Sequence, residues 1–204
     1  VVLDVREREH IILERAHDLA VEVGGIIPDD PGLLREVANL VESPLVLRGS
    51  FDAKYLSLPQ DVLLAVMRKH QRYIPVEKDG QLQPYFLAVA NGRNLDIASV
   101  RYGNEQVLTA RYADASFFYA TDLGKPLEQY TARLATLTFQ EKLGSMLDKV
   151  QRIERLVPGI GSLLQVNTHD LQTAQRAASL CKSDLVTHMV VELTSLQGKM
   201  GRHY

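Results

Sequence analysis

The sequence predicts an α+β protein, with a mixed helix and antiparallel-sheet module over residues 1–123 and an all-helical domain over residues 124–204. Three observations predict it. Apolar residues near the start recur at helical spacing, two β-rich runs flank an Asp-Gly pair, and strand signals disappear from Asn104 onward.

The elements follow in order. Leu3, Ile11, Ile12, Leu13, Ala16, Leu19, Ala20 and Val23 are spaced for one amphipathic helix over residues 3–23, stopped by Gly24-Gly25. Pro28-Asp29-Asp30-Pro31 is a turn cluster, and Leu33 to Val41 predicts a shorter helix. Leu45-Val46-Leu47 has the composition of a strand. The segment from Leu58 to Gln71 returns to helical period, with Pro59 in its first turn. Tyr73–Val76 and Tyr85–Ala90 predict an antiparallel hairpin around Asp79-Gly80, joined by a loop of more than two residues.

Beyond the sheet, Asn104 is placed to cap a helix running through Tyr119, with a break at Gly124-Lys125-Pro126. Further helices are predicted near 127–138, 141–157, 168–182 and 184–193. Pro158-Gly159 and Gly161 are expected to end the second of these. The domain boundary falls near Gly124.

Composition limits the classes of function. With 46% hydrophobic and 24% charged residues, the chain can build an ordinary globular core. A net charge of −2 gives no whole-molecule attraction to nucleic acid, so any RNA must be held by local Arg and Lys. The single cysteine, Cys181, excludes an internal disulfide and a Cys-cluster metal site; Lys182 beside it could favour a thiolate, but with no His partner evident a buried structural cysteine is expected. No apolar run approaches the roughly 18–20 residues that span a bilayer. The first residues, VVLDVREREH, and the last, GRHY, both look cut, so an excised piece of a longer protein is expected.

No phosphate-binding loop, GxGxxG, HExxH or GxSxG motif occurs. Gly24-Gly25 and Gly159-Ile160-Gly161 are too short to cradle a nucleotide and are expected to terminate helices. His169-Asp170 could ligate a cation in an HD-type phosphohydrolase with Asp184, but Asn167-Thr168-His169-Asp170 also has the pattern of a capped helix start. Arg111 and Asp114 are spaced to pair on the helix that carries Phe117, Phe118 and Tyr119, at least one of which must meet another element. The residues available to neutralise phosphates are Arg68, Lys69 and Arg72 on one helix, then Arg93, Arg101 and Arg111, and finally Lys199 and Arg202.

Longer strings carry more information than these motifs. They are Ser43–Val76 (SPLVLRGSFDAKYLSLPQDVLLAVMRKHQRYIPV) with Phe86–Gly92, Gly103–Leu123 (GNEQVLTARYADASFFYATDL) with Phe139–Ile153, and Arg176–Tyr204 (RAASLCKSDLVTHMVVELTSLQGKMGRHY). Over more than half of the chain, and in this order, they resemble the β subunit of the bacterial-type two-subunit glycyl-tRNA synthetase. The chain departs from that family's Arg-rich helix at Gln106, Thr109 and Ser116, and from a more apolar pattern at Lys199 and His203.

The resemblance implies a central piece of a cytoplasmic or plastid enzyme, built from two α and two β subunits, that joins glycine to its tRNA using ATP and Mg. It implies that glycine activation belongs to the α subunit. This piece would bind glycine tRNA on its acceptor side, help assembly with α, hold no aminoacylation site or cofactor of its own, and touch no membrane. The helical half would be an HD-like domain. In Ala177–Lys182 the metal-binding His-Asp pair is replaced and only Asp184 remains, which implies a scaffold without hydrolase activity. Two other readings stand beside it: the metal phosphohydrolase, and a docking module that touches no RNA.

Overall fold

A computed structural model describes residues 1–92 and 95–204. The chain divides into two compact units, Val1–Ser116 and Phe117–Tyr204. A helix-and-sheet part is followed by a helical part, in the order the sequence predicts.

In the first unit, helix α1 (Val5–Val21) begins at Asp4, whose Oδ1 accepts the backbone N–H groups of Arg6 and Glu7 at 2.7 and 3.1 Å. These bonds, that from Glu7 foremost, hold the Asp4 carboxyl below the usual carboxylate range. Ile12, Ala16, Leu19 and Ala20 form the buried stripe of α1. Leu3, expected on that stripe, lies ahead of the helix and is exposed, as is Leu13 at the stripe's margin. Helix α2 (Pro31–Leu40) starts with Asp30 Oδ1 accepting from Leu33 N–H at 3.0 Å, and Pro31 stands where a missing N–H costs nothing. Leu33, Val37 and Ala38 join the α1 stripe and Val46, Ile74, Val76 and Leu87 of the sheet in one core.

The sheet has strands β1 (Pro44–Ser50), β2 (Ile74–Lys78) and β3 (Gln81–Asn91), antiparallel in the order β1-β3-β2. Asp79 (φ 51°) and Gly80 (φ 75°) alone connect β2 to β3, a primed two-residue turn. The longer loop expected from the sequence is therefore wrong. Glu77 and Lys78 are charged strand residues, the first half-buried and the second exposed, paired with Leu82 and Gln81. Gly49 on β1 faces Phe86 on β3, and a Cβ at Gly49 would lie 2.3 Å from the Phe86 ring. That ring also stacks on Tyr73, with centroids 4.5 Å apart.

The helix predicted over Leu58–Gln71 is α3 (Gln60–Leu64) continued as a π-helix over Ala65–Gln71, which ends on Arg72 in a left-handed conformation (φ 57°). Helix α4 (Ile97–Leu123) starts well before the expected cap. Asp96 accepts from the N–H groups of Ala98 and Ser99, which makes Asn104 an interior residue. There its Nδ2 donates to the Val100 carbonyl at 2.7 Å and its Oδ1 accepts the Tyr73 hydroxyl at 2.6 Å. The division between the units falls inside α4. On its first-unit portion, buried Tyr112 meets Phe51 edge-on at 5.0 Å and donates to the Leu63 carbonyl at 3.3 Å.

In the second unit, α5 (Glu128–Thr131) continues as a 3-10 turn over Ala132–Thr136. A short ribbon of β4 (Thr138–Gln140) and β5 (Gly144–Ser145) then departs from the expected purely helical content. Helix α6 (Met146–Leu163) opens with a reciprocal cap between Ser145 and Asp148 and runs through Pro158, Gly159 and Gly161. These residues do not end it. Gly161 is buried, and a Cβ there would lie 2.7 Å from Leu171 Cδ1, so this glycine admits α7 (Thr168–Leu180) to close packing. Asn167 caps α7, accepting from Asp170 N–H at 2.9 Å. Cys181 follows at the C-cap of α7 and is exposed, against the expected burial. The helix predicted over 184–193 resolves into a 3-10 turn (Ser183–Val186) and α8 (His188–Glu192). The chain then passes through a 3-10 turn (Thr194–Leu196) to α9 (Lys199–His203).

Candidate functional site

The predicted cations fall into two groups. Arg68 pairs with Asp30, and Arg72 Nε bonds Glu36 at 2.6 Å, so both charges on the π-helical segment are matched by carboxylates. Lys69 between them is exposed. Arg101 and Arg111 on α4 and Arg202 on α9 are exposed and form no ion pair among the described residues. Lys199, the first residue of α9, is exposed. Arg93 lies outside the described residues. Arg111 and Asp114, spaced to pair, do not.

The second unit is organised around a carboxylate that no sequence motif marks. Asp122, near the end of α4, is 1% exposed. Its Oδ1 accepts the backbone N–H of His188 at 2.9 Å and the ring Nδ1 of the same residue at 2.8 Å. Its Oδ2 accepts Met189 N–H and the Tyr204 hydroxyl, each at 2.9 Å. The Tyr130 hydroxyl donates to the Asp122 carbonyl at 3.2 Å. Burial first, then the bond to Asp122, raises the Tyr204 hydroxyl well above its ordinary pKa. Burial also raises that of Tyr130, aided by the nearby Asp122 charge. A buried charge is tolerated only when hydrogen-bonded, and Asp122 satisfies this by tying α4, α8 and the residue after α9 together. Tyr119, of the aromatic run, stacks on Tyr204 at 5.8 Å.

A carboxylate only accepts, so the His188 ring must carry its proton on Nδ1. That leaves Nε2 as the ring's remaining polar atom on a side chain that is 49% exposed. His188, Phe118, Arg133, Val191 and Glu192 line a cleft of 120 Å³.

Asp184 is the second buried carboxylate, and its Oδ2 accepts from Gly198 and Gly201 N–H. His169 and Asp170 stand on the exposed start of α7, their side chains 89% and 63% exposed. Among the described residues no group of three His, Cys, Asp or Glu side chains is placed to hold a metal ion. The HD-type ligand set of His169, Asp170 and Asp184 therefore has no convergent geometry behind it.

Local pattern could not reveal Asp122 or His188, because their bond joins positions 66 residues apart. The one visible signal is Thr187-His188, where Thr187 Oγ1 accepts Val190 N–H in the manner of a helix cap.

This is an α+β protein whose buried carboxylates serve structure and whose unmatched cations, among the described residues, lie on the surface. The chain belongs to the family described as "Glycyl-tRNA synthetase beta subunit", which it matches over residues 1–204. It is 48% identical over its full length to a glycine–tRNA ligase beta subunit of Halothermothrix orenii, and 45% identical over its full length to that of Oceanobacillus iheyensis. It covers 30% of each of these relatives. It is 46% identical over 99% of its length to an Arabidopsis thaliana protein named "Glycine--tRNA ligase, chloroplastic/mitochondrial 2", and covers 19% of that relative. No helix among the described residues is long and apolar enough to cross a membrane.

Proposed function

We propose that this chain is the portion of a glycine–tRNA ligase β subunit that binds glycine tRNA and helps assembly with the α subunit. The assembled enzyme would be an α/β heterotetramer of the cytoplasm or a plastid that attaches glycine to tRNA using ATP and Mg. In this reading the chain holds no aminoacylation site and no cofactor, and its helical half is an HD-like scaffold without hydrolase activity. The observation that carries the proposal is the family match over the whole chain. The exposed charges of Arg101, Arg111 and Arg202, which form no ion pair among the described residues, give that function its physical means, since phosphate contacts come from exposed cations. Filter binding of glycine tRNA at low and moderate salt tests it. Affinity should fall steeply with salt. Absent or salt-insensitive binding contradicts direct RNA contact.

One observation favours the docking reading. Leu156, Ile160 and Leu163 on α6 recur at helical spacing and are 61%, 50% and 85% exposed, with Leu164 beside them at 70%. An apolar face of this kind suits an assembly surface. Co-elution with the α subunit on a sizing column, abolished by Ile160→Glu, supports it; unchanged co-elution by the variant counts against this face.

A further inference from the structure

Phe118 and Val191 give the His188 cleft an apolar wall, and Val191 is 57% exposed. Phe117, which is 66% exposed, stands edge-on to Phe118 with centroids 6.0 Å apart. Arg133 supplies a cation that forms no ion pair among the described residues, its guanidinium carbon 5.9 Å from the Tyr130 ring centre. Glu192 supplies a carboxylate, and His188 an imidazole whose proton is pinned by Asp122.

We propose that this cleft holds one unstacked nucleotide of single-stranded RNA. Each lining group has a partner in that chemistry. The face of a base packs against Phe118 and Val191, since single-stranded recognition rests on bases laid against aromatic and apolar side chains. The base's N–H donors meet the Glu192 carboxylate, as carboxylates accept from exocyclic amines. The flanking phosphate falls to Arg133. His188 Nε2, which accepts while Nδ1–H donates to Asp122, takes the ribose 2′-hydroxyl, the group that distinguishes RNA from DNA.

Size argues for a single nucleotide. At 120 Å³ the cleft is far below the roughly 300 Å³ at which pockets for drug-sized ligands begin, so it takes one base, with the attached ribose and phosphate left to the groups at its rim. The proposal rests on the reading of the chain as RNA-binding and adds a place and a mode to it. His188 is the positioned acceptor, and Asp122 acts through it.

The test measures binding of glycine tRNA, a short single-stranded ribo-oligonucleotide, its deoxy counterpart and free AMP. It uses the wild-type chain, Arg133→Ala and His188→Gln, with thermal unfolding as the check on folding. Arg133 packs on Tyr130 but makes no hydrogen bond to Asp122, so Arg133→Ala reports even if His188→Gln disturbs the fold. The ribo-oligonucleotide should bind more tightly than the deoxy strand or AMP. Arg133→Ala should weaken it about tenfold, and His188→Gln should erase the difference between the two strands. If tRNA binds but the variants bind the oligonucleotide like wild type, the cleft is not the site and the RNA-binding reading stands. The cleft is likewise excluded if ribo and deoxy strands, or AMP and the oligonucleotide, bind alike. If neither tRNA nor oligonucleotide binds, both readings fail.

Discussion

Asp122 Oδ1 accepts the ring Nδ1–H of His188 at 2.8 Å from a side chain that is itself fully enclosed. The same carboxylate receives two backbone N–H groups of α8 and the Tyr204 hydroxyl. Removing it would leave the buried Met189 N–H and the part-buried donors of His188 and Tyr204 without an acceptor, and an unsatisfied buried donor costs about 1–3 kcal/mol. Asp122→Ala should therefore destabilise the helical unit by about 3 kcal/mol or more, measured by chemical denaturation. A loss below about 1 kcal/mol would show that water replaces the network.

Gly49 is needed for the sheet because Phe86 occupies the space of a side chain there. The ring cannot simply swing away, since Tyr73 is stacked on it. Gly49→Ala should cost about 2 kcal/mol through overpacking. Thermal unfolding of the variant checks this, and an unchanged midpoint would mean the ring yields freely.

Arg8 is 8% exposed and has no carboxylate partner among the described residues. Instead its Nε donates to the Ala38 carbonyl at 2.8 Å, and its Nη1 to those of Val2 and Leu3 at 2.7 and 2.9 Å. The guanidinium thus ties the start of the chain to the end of α2. Arg8→Met keeps the apolar stem but strands these acceptors, so a loss of about 2–3 kcal/mol is expected. Proteolysis near Val2 should also become faster in the variant, and equal cleavage rates would contradict the tie.

Tyrosine burial predicts alkaline sensitivity. Burial pushes the Tyr73 hydroxyl up to about 12 and raises those of Tyr112 and Tyr204 further. These groups stay protonated in the fold at a pH where the unfolded chain would ionise them. The stability they contribute is whole below pH 10, the ordinary tyrosine value, and declines as pH rises through 12. Circular dichroism and tyrosinate absorbance should change together in that window. Ionisation of all tyrosines near pH 10 with the fold intact would contradict their burial.

Features governed by neighbouring residues are legible in the sequence. The α1 stripe, the cap at Asn167 and the place, though not the length, of the Asp79-Gly80 turn depend on spacings of a few residues. Asn104 suggests a helix start, but Asp96 provides the cap and the helix passes through Asn104. Pro158 and Gly161 suggest a stop, yet packing of Gly161 against Leu171 outweighs their low helix propensity. Of the candidate site, the exposed cations are visible as residue types. Which of them are neutralised is not, because Asp30 and Glu36 come from a different element than Arg68 and Arg72. The Asp122 network is invisible for the same reason at greater range, with Tyr204 lying 82 residues away.

That contrast between paired and unpaired cations gives the most direct test of RNA binding by this chain. Glycine tRNA affinity should be measured against salt for Arg101→Ala, Arg111→Ala and Arg202→Ala, with Arg68→Ala and Arg72→Ala as paired controls. The first set should weaken binding and flatten the salt slope by about 0.7–0.9 for each phosphate left without its cation, while the controls stay near wild type. Five variants that all bind like wild type, with the wild-type slope, would contradict RNA binding through these cations.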